Sequence, residues 1–241
     1  MLWTEKYAPR KLSEVVGQEM AIKEIKKWIE SWERGIPQKR ALLFYGPPGT
    51  GKTATAKALA EETGWLLIEM NASDKRTMHE VQKIIGTASK TGTLFEGTKG
   101  KKLLVLDEAD NIHGTADRGG YQALREIISS TDNPIILIAN DRYSIPADIQ
   151  AQCQLVNFRR LRADQILKHL EKIAKNEKIK VDRKALELIA QRADGDMRSA
   201  VEDFQMHAIV FPHLTSDKVL LFRREREKNV FDLLKGVLFA S

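Results

Sequence analysis

Cysteine is nearly absent: Cys153 is the single thiol in 241 residues. One thiol excludes an internal disulfide and fits a reducing compartment. It also leaves no cysteine–histidine spacing of the zinc-binding kind, because the five histidines are scattered. Long apolar runs are missing as well. No stretch approaches the roughly 20 apolar residues of a membrane span. The opening Met1-Leu2-Trp3-Thr4-Glu5-Lys6 lacks the basic-then-apolar layout of a secretory signal. There is no repeat, low-complexity tract or long Pro/Gly linker. The expectation is a soluble, cytoplasmic protein with no membrane partner.

The composition is that of a globular chain, 42% hydrophobic and 30% charged, long enough for a large core and a second domain. The formal net charge of +6 suits work beside polyanions and equally suits a solvated basic surface.

Short, largely apolar runs recur at 41–45, 66–70, 103–107 and 135–139, with a weaker one at 155–158. Helical patterns fall between them, including Ile22, Ile25, Ile29 and Trp32 over 19–34. Apolar strands alternating with helices predict an α/β fold with a five-stranded parallel sheet covered on both faces. Trp28 and Trp32 read as packing residues. Beyond Phe158 the strand pattern stops, and 163–178, 183–193 and 196–210 read as three amphipathic helices of a small second domain. The hinge falls near Arg159-Arg160-Leu161-Arg162. An apolar stripe of Val230, Phe231, Leu234 and Leu238 marks a further helix over 217–240. The expected domains are 1–158, 159–214 and 215–241.

Residues 46–53 read Gly46-Pro47-Pro48-Gly49-Thr50-Gly51-Lys52-Thr53, the pattern of a phosphate-binding loop between a strand and a helix. Its glycines let backbone N–H groups wrap phosphate oxygens, and the helix that starts there, with Ala54 in its first turn, adds its positive end. Lys52 is placed to reach the β- and γ-phosphates, and the Thr53 hydroxyl to bind Mg²⁺. About 50 residues on, Leu103–Asp110 is a strand running into acids. Asp107 at its tip suits the Mg²⁺ shell and Glu108 the activation of a water, although an apolar run followed by acid also arises by chance. Asn140, just past the fourth strand, is placed either to hydrogen-bond a nucleophilic water or γ-phosphate, or as a turn residue before Asp141. Arg198 opens the last helix, where a cation opposes the helix dipole unless an anion partners it; a surface arginine is the plainer reading.

These elements, in this order, resemble the AAA+ ATPases, and among them the clamp loaders, with the large subunit of archaeal replication factor C the narrowest likeness. The likeness is carried by Trp3-Thr4-Glu5-Lys6-Tyr7-Ala8-Pro9, Val16-Gly17-Gln18, the phosphate loop, Asn71-Ala72-Ser73-Asp74, Asp107-Glu108-Ala109-Asp110, Asp117-Arg118-Gly119-Gly120, Ile138-Ala139-Asn140-Asp141-Arg142 and Gly195-Asp196-Met197-Arg198. The letters Asp-Glu-Ala-Asp also occur in RNA helicases, which the loop sequence and helical tail fit poorly. The resemblance implies an AAA+ domain followed by a helical lid, then the start of a collar cut short. It implies ATP and Mg²⁺ as cofactors, with Tyr7, Pro9, Val16 and Gln18 flanking the adenine and Asn140 and Arg198 as two sensors. It also implies small-subunit partners in a five-membered spiral that loads a sliding clamp on primer-template DNA, nucleoid-associated in an archaeon and nuclear in a eukaryote. Arg76 and Lys83 would face DNA phosphates, with Lys75 beside them, and Leu94-Phe95 would touch the clamp; surface charge and loop packing explain these residues as well.

One departure is informative. Small subunits carry Ile-Gln-Ser-Arg-Cys where this chain has Ile149-Gln150-Ala151-Gln152-Cys153. An arginine finger supplied in trans accelerates phosphoryl transfer by about 10³–10⁵, and glutamine has no charge to offer. The chain is therefore expected to receive a finger and give none, and to be a weak ATPase alone. A branch-migration motor would need its own finger, so Gln152 counts against that alternative. An ATP-binding interaction subunit with dispensable hydrolysis is the other reading.

Overall fold

A computed structural model of the chain describes residues 1–72, 101–111 and 118–221. The described residues divide into two compact units: Pro9–Arg160, and Met1–Ala8 together with the residues from Leu161 onward.

The Pro9–Arg160 unit is built on five parallel strands: β1 Ala41–Tyr45, β2 Leu66–Asn71, β3 Lys102–Asp107, β4 Ile135–Ala139 and β5 Cys153–Asn157, in the order β2-β3-β4-β1-β5. The side-chain period of two splits the strands between two cores. Leu42, Phe44, Leu103, Val105, Ile136 and Ile138 face one side. Ala41, Leu43, Leu104, Leu106, Ile135 and Leu137 face the other. Both faces are buried at the central strands, which is why β1, β4 and Leu103–Leu106 of β3 are apolar, whereas the edge strands β2 and β5 are partly exposed and carry Glu69 and Gln154. On the first side, α2 (Glu19–Glu33) contributes Ile25, Trp28 and Trp32, and α3 (Lys52–Thr63) contributes Ala56 and Leu59. The Trp28 and Trp32 rings meet edge-on at 5.9 Å inside this core, as packing residues. On the second side lie α4 (Arg118–Ser130), with Leu124, Ile127 and Ile128, and α5 (Ala147–Gln152), with Ile149.

The other unit packs α6 (Ala163–Asn176), α7 (Arg183–Arg192) and α8 (Met197–Val210) around Leu170, Ile173, Leu186, Ile189 and Phe204. The strands do not stop after β5. Lys180–Val181 (β6) pairs in parallel with His213–Leu214 (β7), a two-residue ladder too short to leave a periodic trace in the sequence.

The packing also redraws the expected limits. Residues 1–8 belong with the helices. Trp3, on the short helix α1 (Trp3–Lys6), meets Phe204 at 5.2 Å between ring centroids, and its backbone N–H donates to Gln205 Oε1 at 2.8 Å. Lys6 and the Tyr7 hydroxyl both donate to Glu177, at 2.5 and 2.6 Å. Those bonds hold the Glu177 carboxyl below its ordinary range, while burial and the same contact push the Tyr7 phenol up. Nor does packing break at 214/215. Residues 216–221 are helical, and Val219 is buried in the same core as Phe204. Among the described residues, no helix is long and apolar enough to cross a membrane.

Candidate functional site

The sheet order decides which strand tips are neighbours. β4 lies between β3 and β1, so the turn after β4 falls between the loop after β1 and the acids after β3. Ligands of open parallel sheets collect at this carboxyl edge.

The loop after β1 is tightly built. Gly46 has φ 138°, and a Cβ there would fall 2.0 Å from the carbonyl oxygen of Phe158, so no side chain fits. Gly51 takes φ 97° as the residue that opens α3. The Thr50 hydroxyl donates to Pro47 O at 2.8 Å. Lys52, the first residue of α3, is only 7% exposed. Its Nζ donates to Gly46 O at 2.7 Å, Pro47 O at 2.8 Å and Asn140 Oδ1 at 3.1 Å. A buried ammonium tied to three neutral oxygens gains Coulomb energy when an anion enters the loop.

Thr53, one residue on, donates its hydroxyl to Asp107 Oδ2 at 2.7 Å. This places two hard oxygens from α3 and β3 in contact, a donor set that suits Mg²⁺, which takes one or two protein oxygens and fills its shell with water and phosphate. Asp107 Oδ1 accepts the Glu108 N–H at 2.8 Å. Glu108 is exposed, with φ 55°, and its Oε2 accepts from Asn71 Nδ2 at 3.0 Å and Asn111 Nδ2 at 3.4 Å. The backbone N–H of Asn140 donates to Asp110 Oδ2 at 2.9 Å.

Lys52, Thr53, Asp107, Glu108 and Asn140 thus converge at one edge of the sheet. Gln18 reaches the same loop in an unexpected way. It is buried, and its amide nitrogen donates to Thr50 O at 3.2 Å and Arg159 O at 2.7 Å, while its oxygen accepts from Arg159 N at 3.1 Å. In this arrangement it braces the phosphate loop to the backbone beyond β5. Pro9 and Val16 are half-buried in the same unit. Tyr7 and Arg198 belong to the helical unit, where Arg198 is exposed in the first turn of α8, beside the cap made by Asp196 on Ser199 N at 2.8 Å. Arg76, Lys83, Leu94 and Phe95 lie outside the described residues. Gln152 ends α5 with its Oε1 buried and without a hydrogen-bond partner among the described residues. Sequence reasoning missed the contacts of Asn71 and Asp110, although both lie in motifs that it marked.

Two family models cover most of the chain. Residues 42–161 match the ATPase family associated with various cellular activities (AAA). Residues 165–201 match the ATPase lid domain of a DNA polymerase III clamp loader subunit. The chain belongs to the AAA+ ATPases, in their clamp-loader branch. Its fold is an AAA domain followed by a lid domain. It is 42% identical over 235 residues to the replication factor C large subunit of Methanosarcina mazei, covering 98% of this chain and 38% of that protein. It is likewise 42% identical over 245 residues to the replication factor C large subunit of Archaeoglobus fulgidus, covering 98% of this chain and 50% of that protein. The chain therefore spans half or less of the length of these relatives. Among solved structures it resembles the Holliday junction branch migration motor RuvB of Thermotoga maritima, with a TM-score of 0.69, 18% identity, and coverage of 89% of this chain and 71% of that one. That likeness shows the fold alone.

Proposed function

We propose that this AAA+ clamp-loader chain binds ATP with Mg²⁺ and hydrolyses it as the large-subunit-like member of a loader that opens a sliding clamp and places it on primed DNA. The observation that carries the reading is the convergence of Lys52, Thr53, Asp107, Glu108 and Asn140 at one sheet edge. Thr53 and Asp107 would hold Mg²⁺, which supplies charge neutralisation at the phosphates. The N–H groups of residues 49–54 and the Lys52 ammonium bind phosphate oxygens. Glu108 takes a proton from a water that attacks the γ-phosphorus in line, ADP leaves, and Asn140 positions that water. Arg198 from the lid would stabilise charge on the γ-phosphate, and Tyr7, Pro9 and Val16 would flank the adenine, with Gln18 fixing the loop from behind. The three adenine-side positions and Arg198 rest on the family resemblance.

The same resemblance supplies the partners: small subunits that furnish an arginine finger, a clamp met through Leu94 and Phe95, and DNA phosphates met through Arg76 and Lys83. Gln152 at the finger position supports a chain that receives a finger and gives none. It also favours a second reading, an ATP-binding interaction subunit whose own hydrolysis the complex does not need.

The test is reconstitution with candidate small subunits, clamp and primed DNA, comparing wild type with Glu108→Gln. Clamp loading and ATP turnover should both fall in the variant. Unchanged loading and turnover would leave the interaction reading standing. The isolated chain should bind nucleotide and hydrolyse it slowly; brisk turnover by a verified monomer would contradict the requirement for a neighbour.

A further inference from the structure

Asp110 has no part in the hydrolysis proposed above, yet its placement is specific. It lies in the one-turn 3-10 helix Ala109–Asn111, directly after Glu108, and that turn is closed by the Asn111 N–H donating to Glu108 O at 2.9 Å. Asp110 Oδ2 accepts two backbone N–H groups from the first two residues past β4, Asn140 at 2.9 Å and Asp141 at 3.4 Å. Asn140 in turn presents its side-chain oxygen to Lys52 Nζ at 3.1 Å. One carboxylate therefore ties the turn that carries Glu108 to the turn that carries Asn140.

The other oxygen, Asp110 Oδ1, is buried without a hydrogen-bond partner among the described residues. A half-buried carboxylate with one oxygen unbonded among the described residues adds little to the stability of a fold. What ionisation adds is a stronger acceptor on which two N–H donors converge. We propose that Asp110 is a positioning residue that fixes the Asn140 backbone, so that the Asn140 amide stands in constant register with both Lys52 and Glu108. It acts through Asn140. Its effect on rate rests on the hydrolysis reading above; its effect on Asn140 does not.

The experiment compares Asp110→Ala, Asp110→Asn and Glu108→Gln in the 241-residue chain. Three quantities are measured: amide hydrogen exchange, ATP affinity, and single-turnover hydrolysis with protein in excess. In Asp110→Ala, protection of the Asn140 and Asp141 amides should drop by roughly tenfold or more while the amides of β1 and β4 keep theirs. Affinity should stay within about threefold, and the single-turnover rate should fall by roughly tenfold to a hundredfold, the scale of a misplaced catalytic group. Asp110→Asn, which keeps an acceptor at the same place, should restore most of both.

Unchanged protection at the two amides in Asp110→Ala overturns the proposal. So does a loss that Asp110→Asn fails to rescue, or a collapse of protection across β1 and β4, which would mark a merely structural carboxylate. If Glu108→Gln hydrolyses ATP as fast as wild type, the hydrolysis reading fails instead, and the exchange at Asn140 still decides the role of Asp110.

Discussion

The Asn71 side-chain amide donates to Glu108 Oε2 at 3.0 Å, bridging the tips of β2 and β3. With Asn111 as a second donor at 3.4 Å, the Glu108 carboxylate is bonded by two amides on one oxygen. Both donors hold the same oxygen, so they fix the direction in which the carboxylate points. A carboxylate held this way is less free to turn toward a water, so Asn71→Ala should leave ATP affinity unchanged and raise the single-turnover hydrolysis rate by roughly threefold to tenfold. A slower variant would show that Asn71 orients Glu108 and does not restrain it.

The contact between Thr53 and Asp107 makes a prediction about metal dependence. If these two oxygens hold Mg²⁺, Thr53→Ala and Asp107→Asn should lower ATP affinity by roughly tenfold or more in the presence of Mg²⁺. With the metal chelated, wild type and variants should bind alike. Titration calorimetry with and without EDTA separates the two conditions, and a metal-independent loss would remove the assignment.

The central strands were legible because both sheet faces are buried there, so that each reads as a short apolar run such as Leu103–Leu106. Asp107, Glu108 and Asn140 were legible because each sits at the end of such a run, where a parallel sheet gathers its chemistry, and Lys52 and Thr53 because they close the phosphate-loop pattern. Contacts between tips were not. The Asn71–Glu108 and Asp110–Asn140 bonds depend on the order β2-β3-β4, which no local pattern encodes. Trp3 is one apolar residue with no periodicity around it, so nothing local assigns the first eight residues to the helical unit. Gln18 shows the limit most plainly, since its partner Arg159 lies 141 residues away.

Gln18 also carries a stability prediction. Its amide satisfies the carbonyls of Thr50 and Arg159 and the N–H of Arg159. Gln18→Ala would leave these backbone groups short of partners and should lower unfolding free energy by about 2–3 kcal/mol, read from urea denaturation. Nucleotide affinity should fall with it, because the brace ends on the phosphate loop. Gln18→Glu should be no milder, since a carboxylate can accept from Arg159 N but has no hydrogen to give the two carbonyls. A stability within about 0.5 kcal/mol of wild type would show that the brace is dispensable.

The lone thiol provides a readout of the core between β5 and the helices beside it. Cys153 is fully buried, and burial pushes its pKa from 9.0 up to about 12, against the smaller downward pull of Lys39. At pH 8 the folded protein therefore holds roughly a thousandfold less thiolate than the unfolded chain, and thiolate is the reactive form. A disulfide reagent at pH 8 should modify native protein at least about a hundredfold more slowly than protein in denaturing urea. The sign of the linkage follows from the same shift. The neutral thiol's contribution to stability is complete below about pH 9, the ordinary value, and is lost as pH rises toward 12. Cys153→Ala should therefore flatten the alkaline fall in stability between pH 9 and 12. It should also cost stability at neutral pH by about 1 kcal/mol, through the sulfur's lost packing. Rapid modification of the native protein at pH 8 would mean that the edge strand β5 opens far more often than its burial implies.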